Sequence, residues 1–187
     1  MIVMPRAAAL TAAAALLLAA SAGCSGPPGP RTGSPAAATP TYELPPRPVR
    51  PGETPVTAAP VQDGDTRFTV IGLQKGLEGF FGSHAEWQAK GRYVVVRIVA
   101  ENPGRTNSRF DARRQRLLTA DGRSYGLDAF SHAIKRQPET FLLGAGVRVE
   151  LDLWFDVPDG AVVSGIRLYG DPPLGRAATE GATVPLP

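Results

Sequence analysis

The chain has 187 residues, 43% of them hydrophobic and 20% charged, with a formal charge of +3 and a single cysteine, Cys24. One cysteine excludes an intrachain disulfide, and the near balance of charge excludes a general nucleic-acid polycation. The 19 prolines and 21 glycines exceed ordinary usage, so part of the chain is expected to be irregular.

Met1 to Ala20 reads as a secretory leader, with one cation, Arg6, followed by the apolar run Ala7 to Ala20. As a helix that run spans roughly 21 Å, short of a hydrocarbon core of about 30 Å, which suits a signal peptide and not a membrane-spanning anchor. Ser21, Ala22 and Gly23 follow, then Cys24. This end resembles the lipobox of bacterial lipoproteins, in which a lipid is transferred to the thiol and the leader, here residues 1–23, is cut off before the cysteine. Ala22, Gly23 and Cys24 match that pattern, while Ser21 stands where Leu is commonest. The other readings are plain secretion by cleavage after Ala20-Ser21-Ala22, and a Cys24 that is simply a small buried apolar residue.

Residues 24–61 read as the lipidated cysteine and a disordered tether. Ser25 to Val61 holds 11 of the 19 prolines and one aromatic, Tyr42. With so little to bury, such a segment cannot offset its ordering entropy. It is either a spacer or a docking site for a proline-recognition module.

Residues 62–187 contain 12 of the 13 aromatics, enough for a folded domain without disulfide or metal. Their periodicity is two. Strands are expected at Arg67 to Leu73, Arg92 to Glu101, Gln115 to Thr119, Arg123 to Leu127, Val147 to Val157 and Val162 to Tyr169, with an edge at Ala182 to Leu186. Asp121-Gly122 favours a hairpin turn. Helix is limited to a turn or two within Leu127 to Gln137, where Phe130 and Ile134 stand four apart before Pro138. Short strands between turn signals predict an all-β chain, an antiparallel two-sheet sandwich.

The run Gly91-Arg92-Tyr93-Val94-Val95-Val96-Arg97-Ile98-Val99-Ala100-Glu101-Asn102-Pro103-Gly104 resembles the long strand and Asn-containing turn of a bacterial envelope lipoprotein family of unknown function. Phe110 with Leu117 to Tyr125, then Leu143 to Gly146 and Leu153 to Pro158, resemble its later hairpin and strand pair. That family has a telokin-like immunoglobulin fold and is akin to a mycobacterial secreted immunoprotective antigen. The resemblance covers about 65–170. It implies an immunoglobulin-like β-sandwich and an extracellular address, and it brings no catalytic or ligand residues.

Candidate chemistry is sparse. His84 and His132 are 48 apart and neither has a second ligand at metal-site spacing, so no metal or cofactor is expected. Ser83-His84 and Ser131-His132 lack the context of a hydrolase nucleophile. Glu150 and Asp152 share a strand face with Arg148, which reads as a solvated charged face. Arg105, Arg109, Arg113, Arg114 and Arg116 form a cationic cluster, either a dock for an acidic partner or anionic envelope polymer, or charge that guards an edge strand. Gly76 to Gly91 reads as a long aromatic loop bearing Phe80, Phe81, His84 and Trp87, either a recognition surface or a plug for the core. Alternation places Trp154 on the polar face of its strand, where a second loop would have to bury it.

The combined expectation is a lipid-anchored extracytoplasmic protein on the cell membrane. It would be held there by lipid on Cys24 and act as a non-enzymatic binding or scaffolding module toward a protein or anionic polymer, with no nucleic acid. The alternatives are a small-ligand carrier or enzyme accessory using the 76–91 loop, a secreted unlipidated antigen-like protein, and a structural envelope component.

Overall fold

Two paired strands, Val94 to Ala100 and Leu151 to Val157, organise the fold, which was obtained as a computed structural model describing residues 48–187. Cys24, the leader and most of the proline-rich segment lie outside the described residues. The described chain is mostly β, in antiparallel sheets with one short α-helix.

In chain order the elements are β1 (Thr54–Pro55), β2 (Val61–Asp63), β3 (Thr66–Phe81), β4 (Glu86–Glu101), β5 (Ser108–Asp111), a 3-10 turn (Ala112–Arg114), β6 (Arg116–Thr119), β7 (Ser124–Gly126), α1 (Ala129–Ile134), β8 (Thr140–Leu143), β9 (Arg148–Val157), β10 (Val163–Leu168) and β11 (Ala182–Pro185). One sheet runs β1–β3–β4–β9, with β2 also on β3; a second runs β11–β10–β6–β7, and β5 pairs with β8. The β6–β7 hairpin turns at Asp121-Gly122, where Gly122 takes the left-handed conformation (φ 82°) that such turns require.

The main core lies on one face of the first sheet. Val94, Val96 and Ile98 of β4 and Leu151, Leu153 and Phe155 of β9 pack with Phe68 and Leu73 of β3. The second sheet closes over them with Leu117, Ile166, Leu168 and Val184. The other face of β4 is also covered: Tyr93, Val95 and Arg97 are all buried. A central strand apolar on both faces explains the near-continuous hydrophobic run Tyr93 to Ala100.

The structure corrects three expectations. Gly76 to Gly91 is not a loop but the far part of a hairpin whose two strands have 16 residues each. Gly76 (φ 73°) and register shifts after Gln74 and Leu77 interrupt the period there, so strand residues read as turn signals. The folded part begins before Gln62, because β1 pairs with β3 through Thr54↔Leu73 and Pro55↔Gly72. Glu150 and Asp152 do not form a solvated charged face: their side chains are largely covered and pair with Arg97 and Arg50.

Candidate recognition surface on the hairpin arm

β9 joins β4 only from Arg92 onward, and β1 and β2 join β3 no further along than Leu73. The rest of the β3–β4 hairpin therefore extends past the sheet as a two-stranded arm. Its register is Gly79↔Gln88, Phe80↔Trp87 and Phe81↔Glu86, closed by the Gly82 amide donating to the Ala85 carbonyl at 2.8 Å. Successive strand residues point to opposite faces, so Phe80 and Trp87 share one face and Phe81 and Glu86 the other. The aromatics expected to form one surface are thus divided between two.

Phe80 is a plug. It packs against Tyr93 (ring centroids 5.3 Å apart) and Trp154 (5.0 Å), with Val95 completing a small second core. Trp154 does stand on the polar side of β9, but α1 and the arm bury it. The helix starts where the Asp128 carboxylate accepts from the Ser131 amide at 2.9 Å, an N-cap. Ile134 packs on the second core, and the Lys135 ammonium lies 4.7 Å from the Phe80 ring centre while donating to the Phe81 carbonyl at 3.1 Å. The helix thereby clamps the arm. On its outer side Phe130 meets Trp87 edge to face at 4.9 Å. Trp87 and Phe130 remain 37% and 49% exposed, and Phe81 on the reverse face is 76% exposed. His84 is exposed in the turn. The pair Trp87–Phe130 offers ring surface for stacking and apolar contact on a clamped support. Phe130 was missed as a surface residue, although its four-residue spacing from Ile134 was the available signal.

Burial raises the Tyr93 pKa, and its hydroxyl donates to the Gln88 carbonyl at 3.3 Å. His132, also on α1, is buried with Nε2 3.1 Å from the Pro138 carbonyl. Burial pushes its pKa below the usual value, against the Pro138 carbonyl and the carboxylates of Glu139 and Asp152.

The far end of the same sheet face is charged. Arg97 donates to Glu53 from Nε (2.7 Å) and Nη2 (2.6 Å), and to Glu150 from Nη1 (3.1 Å). Arg50 reaches Asp152 at 2.8 Å and Glu150 at 3.2 Å. Burial works to raise the Glu53 pKa, but the Arg97 guanidinium and the Arg50 amide bring it below the ordinary carboxylate value.

The arginine cluster does not converge. Arg113 pairs with Glu139. Arg114 donates to the Gly170 carbonyl (2.9 Å) and Thr179 (3.2 Å) and lies over Tyr169, and Arg116 donates to the carbonyls of Arg113 and Gln115. Arg105 and Arg109 are exposed. Clefts of about 550, 480 and 580 Å³ lie away from Phe80, Phe81 and Trp87. In the first, Asp156 accepts from the Lys90 and Gly91 amides, and Asp128 is occupied as the helix cap. Among the described residues no group of three His, Cys, Asp or Glu side chains is placed to hold a metal ion.

No family model matches the chain, and no curated protein matches it. Among solved structures it is similar to the yjhA protein from Bacillus subtilis, with 16% identity over 59% of this chain and 79% of that one, at a TM-score of 0.46. It is also similar to a "putative lipoprotein (ycdA)" from Bacillus subtilis subsp. subtilis str. 168, with 13% identity, 66% of this chain covered and a TM-score of 0.46. The chain spans 38% of the length of that second protein.

Proposed function

We propose that this chain is a lipid-anchored, extracytoplasmic, non-enzymatic binding module of a bacterial envelope: an immunoglobulin-like sandwich that presents a hairpin arm to a protein or anionic-polymer partner. The exposed Trp87–Phe130 pair, clamped on the arm by α1, is the observation that carries the binding reading. Surface aromatics on a rigid support are typical anchors of recognition. The address rests on the Met1 to Ala20 leader and the Ala22-Gly23-Cys24 sequence. Two variants test the parts separately. Cys24→Ala moves the protein from the membrane fraction to the medium or leaves it uncut; a mutant processed and membrane-bound like the parent refutes lipidation. Trp87→Ser with Phe130→Ser lowers partner capture from crosslinked envelopes at least tenfold at unchanged fold. Equal capture by parent and variant refutes the arm as the recognition surface.

A further inference from the structure

α1 lies along the edge of β9 that is not paired with β4, and it is tied there at both ends. Ahead of the helix the Asp128 amide donates to the Trp154 carbonyl at 2.8 Å, and behind it the Gln137 side chain accepts from the Asp152 amide at 2.8 Å. Phe130 belongs to the helix and Trp87 to the arm, so their ring pair exists only while the helix is docked.

His132 stands in the middle of α1 and is 2% exposed. The Pro138 carbonyl only accepts, so Nε2 carries the ring proton, and Nδ1 has no hydrogen-bond partner among the described residues. A second proton at Nδ1 adds a buried charge and a buried N–H without an acceptor. The carboxylates acting on the ring are Glu139, ahead of β8, and Asp152 on β9, and each is already paired, with Arg113 and with Arg50. On the helix's own segment Asp128 is engaged as the N-cap and Lys135 by the arm. The neighbouring Arg136 is a further cation and holds the left-handed conformation (φ 54°), alone among the described non-glycine residues.

We propose that α1 is an acid-operated latch: protonation of His132 undocks Asp128 to Gln137, which frees the hairpin arm and separates Phe130 from Trp87. Once undocked, the ring titrates at the ordinary imidazole value near 6.5, so the ratio of undocked to docked chains rises up to about 25-fold from pH 7 to pH 5. A six-residue helix has no stability of its own in water, and Arg136 adds strain, so this segment opens more readily than the sheets. In making recognition depend on pH the latch rests on the arm reading above; the opening itself does not.

The test is hydrogen–deuterium exchange of the full-length chain carrying Cys24→Ser, read at single amides by NMR at pH 7 and pH 5 and corrected for intrinsic rates. The His132 and Lys135 amides, bonded within α1, and the Gly82 amide, which closes the arm, are expected to lose up to about 25-fold in protection. The amides of β4 beside β9 keep theirs, and His132→Gln removes the difference between the two pH values. Unchanged protection in α1, an equal loss throughout the sheets, a Gly82 amide indifferent to pH, or the same loss in folded His132→Gln overturns the latch. If His132→Gln does not fold, the parent's pH profile decides: a loss under way between pH 7 and 5 supports the latch, and one that begins only below pH 5, in the carboxylate range, overturns it. Envelope capture at pH 7 tests the arm reading separately, since a chain that shows the exchange pattern and captures nothing keeps the latch and loses that reading.

Discussion

Phe80 and Phe81 are adjacent in sequence, and the arm's register gives them opposite fates. Phe80 is 6% exposed and held between Tyr93, Trp154 and the Lys135 ammonium; Phe81 is 76% exposed. Truncating a buried phenylalanine costs about 3–5 kcal/mol, and the lower end applies here because the second core is small and lies at the root of a two-stranded arm that can settle into the space left. At roughly 2–4 °C per kcal/mol for a domain of this size, Phe80→Ala lowers Tm by about 6–12 °C. Phe81→Ala removes a side chain that is mostly in water and stays within about 0.5 kcal/mol of the parent, a shift under about 2 °C. Thermal unfolding of the full-length chain, followed by circular dichroism at neutral pH, measures both. If Phe81→Ala is the more damaging change, the register is displaced by one residue and the two faces are exchanged. If neither variant moves Tm, the arm opens independently of the sheet and the second core contributes nothing to global stability.

Arg97→Met leaves Glu53 buried without its cation and is expected to cost about 3–5 kcal/mol, while Arg97→Met with Glu53→Leu recovers most of the loss; denaturant unfolding of both variants checks the pair. His132 and Glu53 both weaken the fold as pH falls, for opposite reasons: burial disfavours the charged imidazole, whereas Arg97 favours the charged carboxylate. The folded pKa of His132 lies below the unfolded value of about 6.5, so its contribution is complete above that pH and is lost as pH falls through 6.5 toward the folded value. Glu53 is lowered from an ordinary value near 4.5, so its contribution is present above that pH and is lost only on further acidification. Tm measured against pH should therefore fall in two stages, and His132→Gln should flatten the upper one; an unchanged slope between pH 6.5 and 5 refutes the assignment.

Where one residue's surroundings are its neighbours two positions away, the sequence is readable. Val94, Val96 and Ile98 alternate on β4 as Leu151, Leu153 and Phe155 do on β9, and the strands are where the alternation puts them. Trp154 owes its burial to distant parts of the chain. Alternation gives its side of the sheet correctly, but its burial depends on α1 and on an arm from another part of the chain. The arm itself was hidden because Gly76, Gly79 and Gly82 carry no periodicity and the register shifts break what remains. Phe81 and Trp87 looked like one patch because the sequence distance is short, whereas a hairpin register decides which face each residue takes. Glu53 and Arg97 are 44 residues apart, with one in a proline-rich stretch, so no local pattern announces their contact.

Residues 48–55, held against β3, β4 and β9, also determine how the domain feels a pull. Tension applied through the N-terminal segment arrives at residue 48 and must pass Arg50 and Glu53 before it reaches β2. Arg50 is joined to β9, at the edge of the first sheet, and Glu53 to β4, in its interior, so the load is divided between two strands. Charge pairs grip within a few ångströms and let go abruptly, which makes them stiff and brittle fasteners. Under slowly rising force the first rupture is therefore expected at these ion pairs, releasing residues 48–53 while β3, β4 and β9 stay paired.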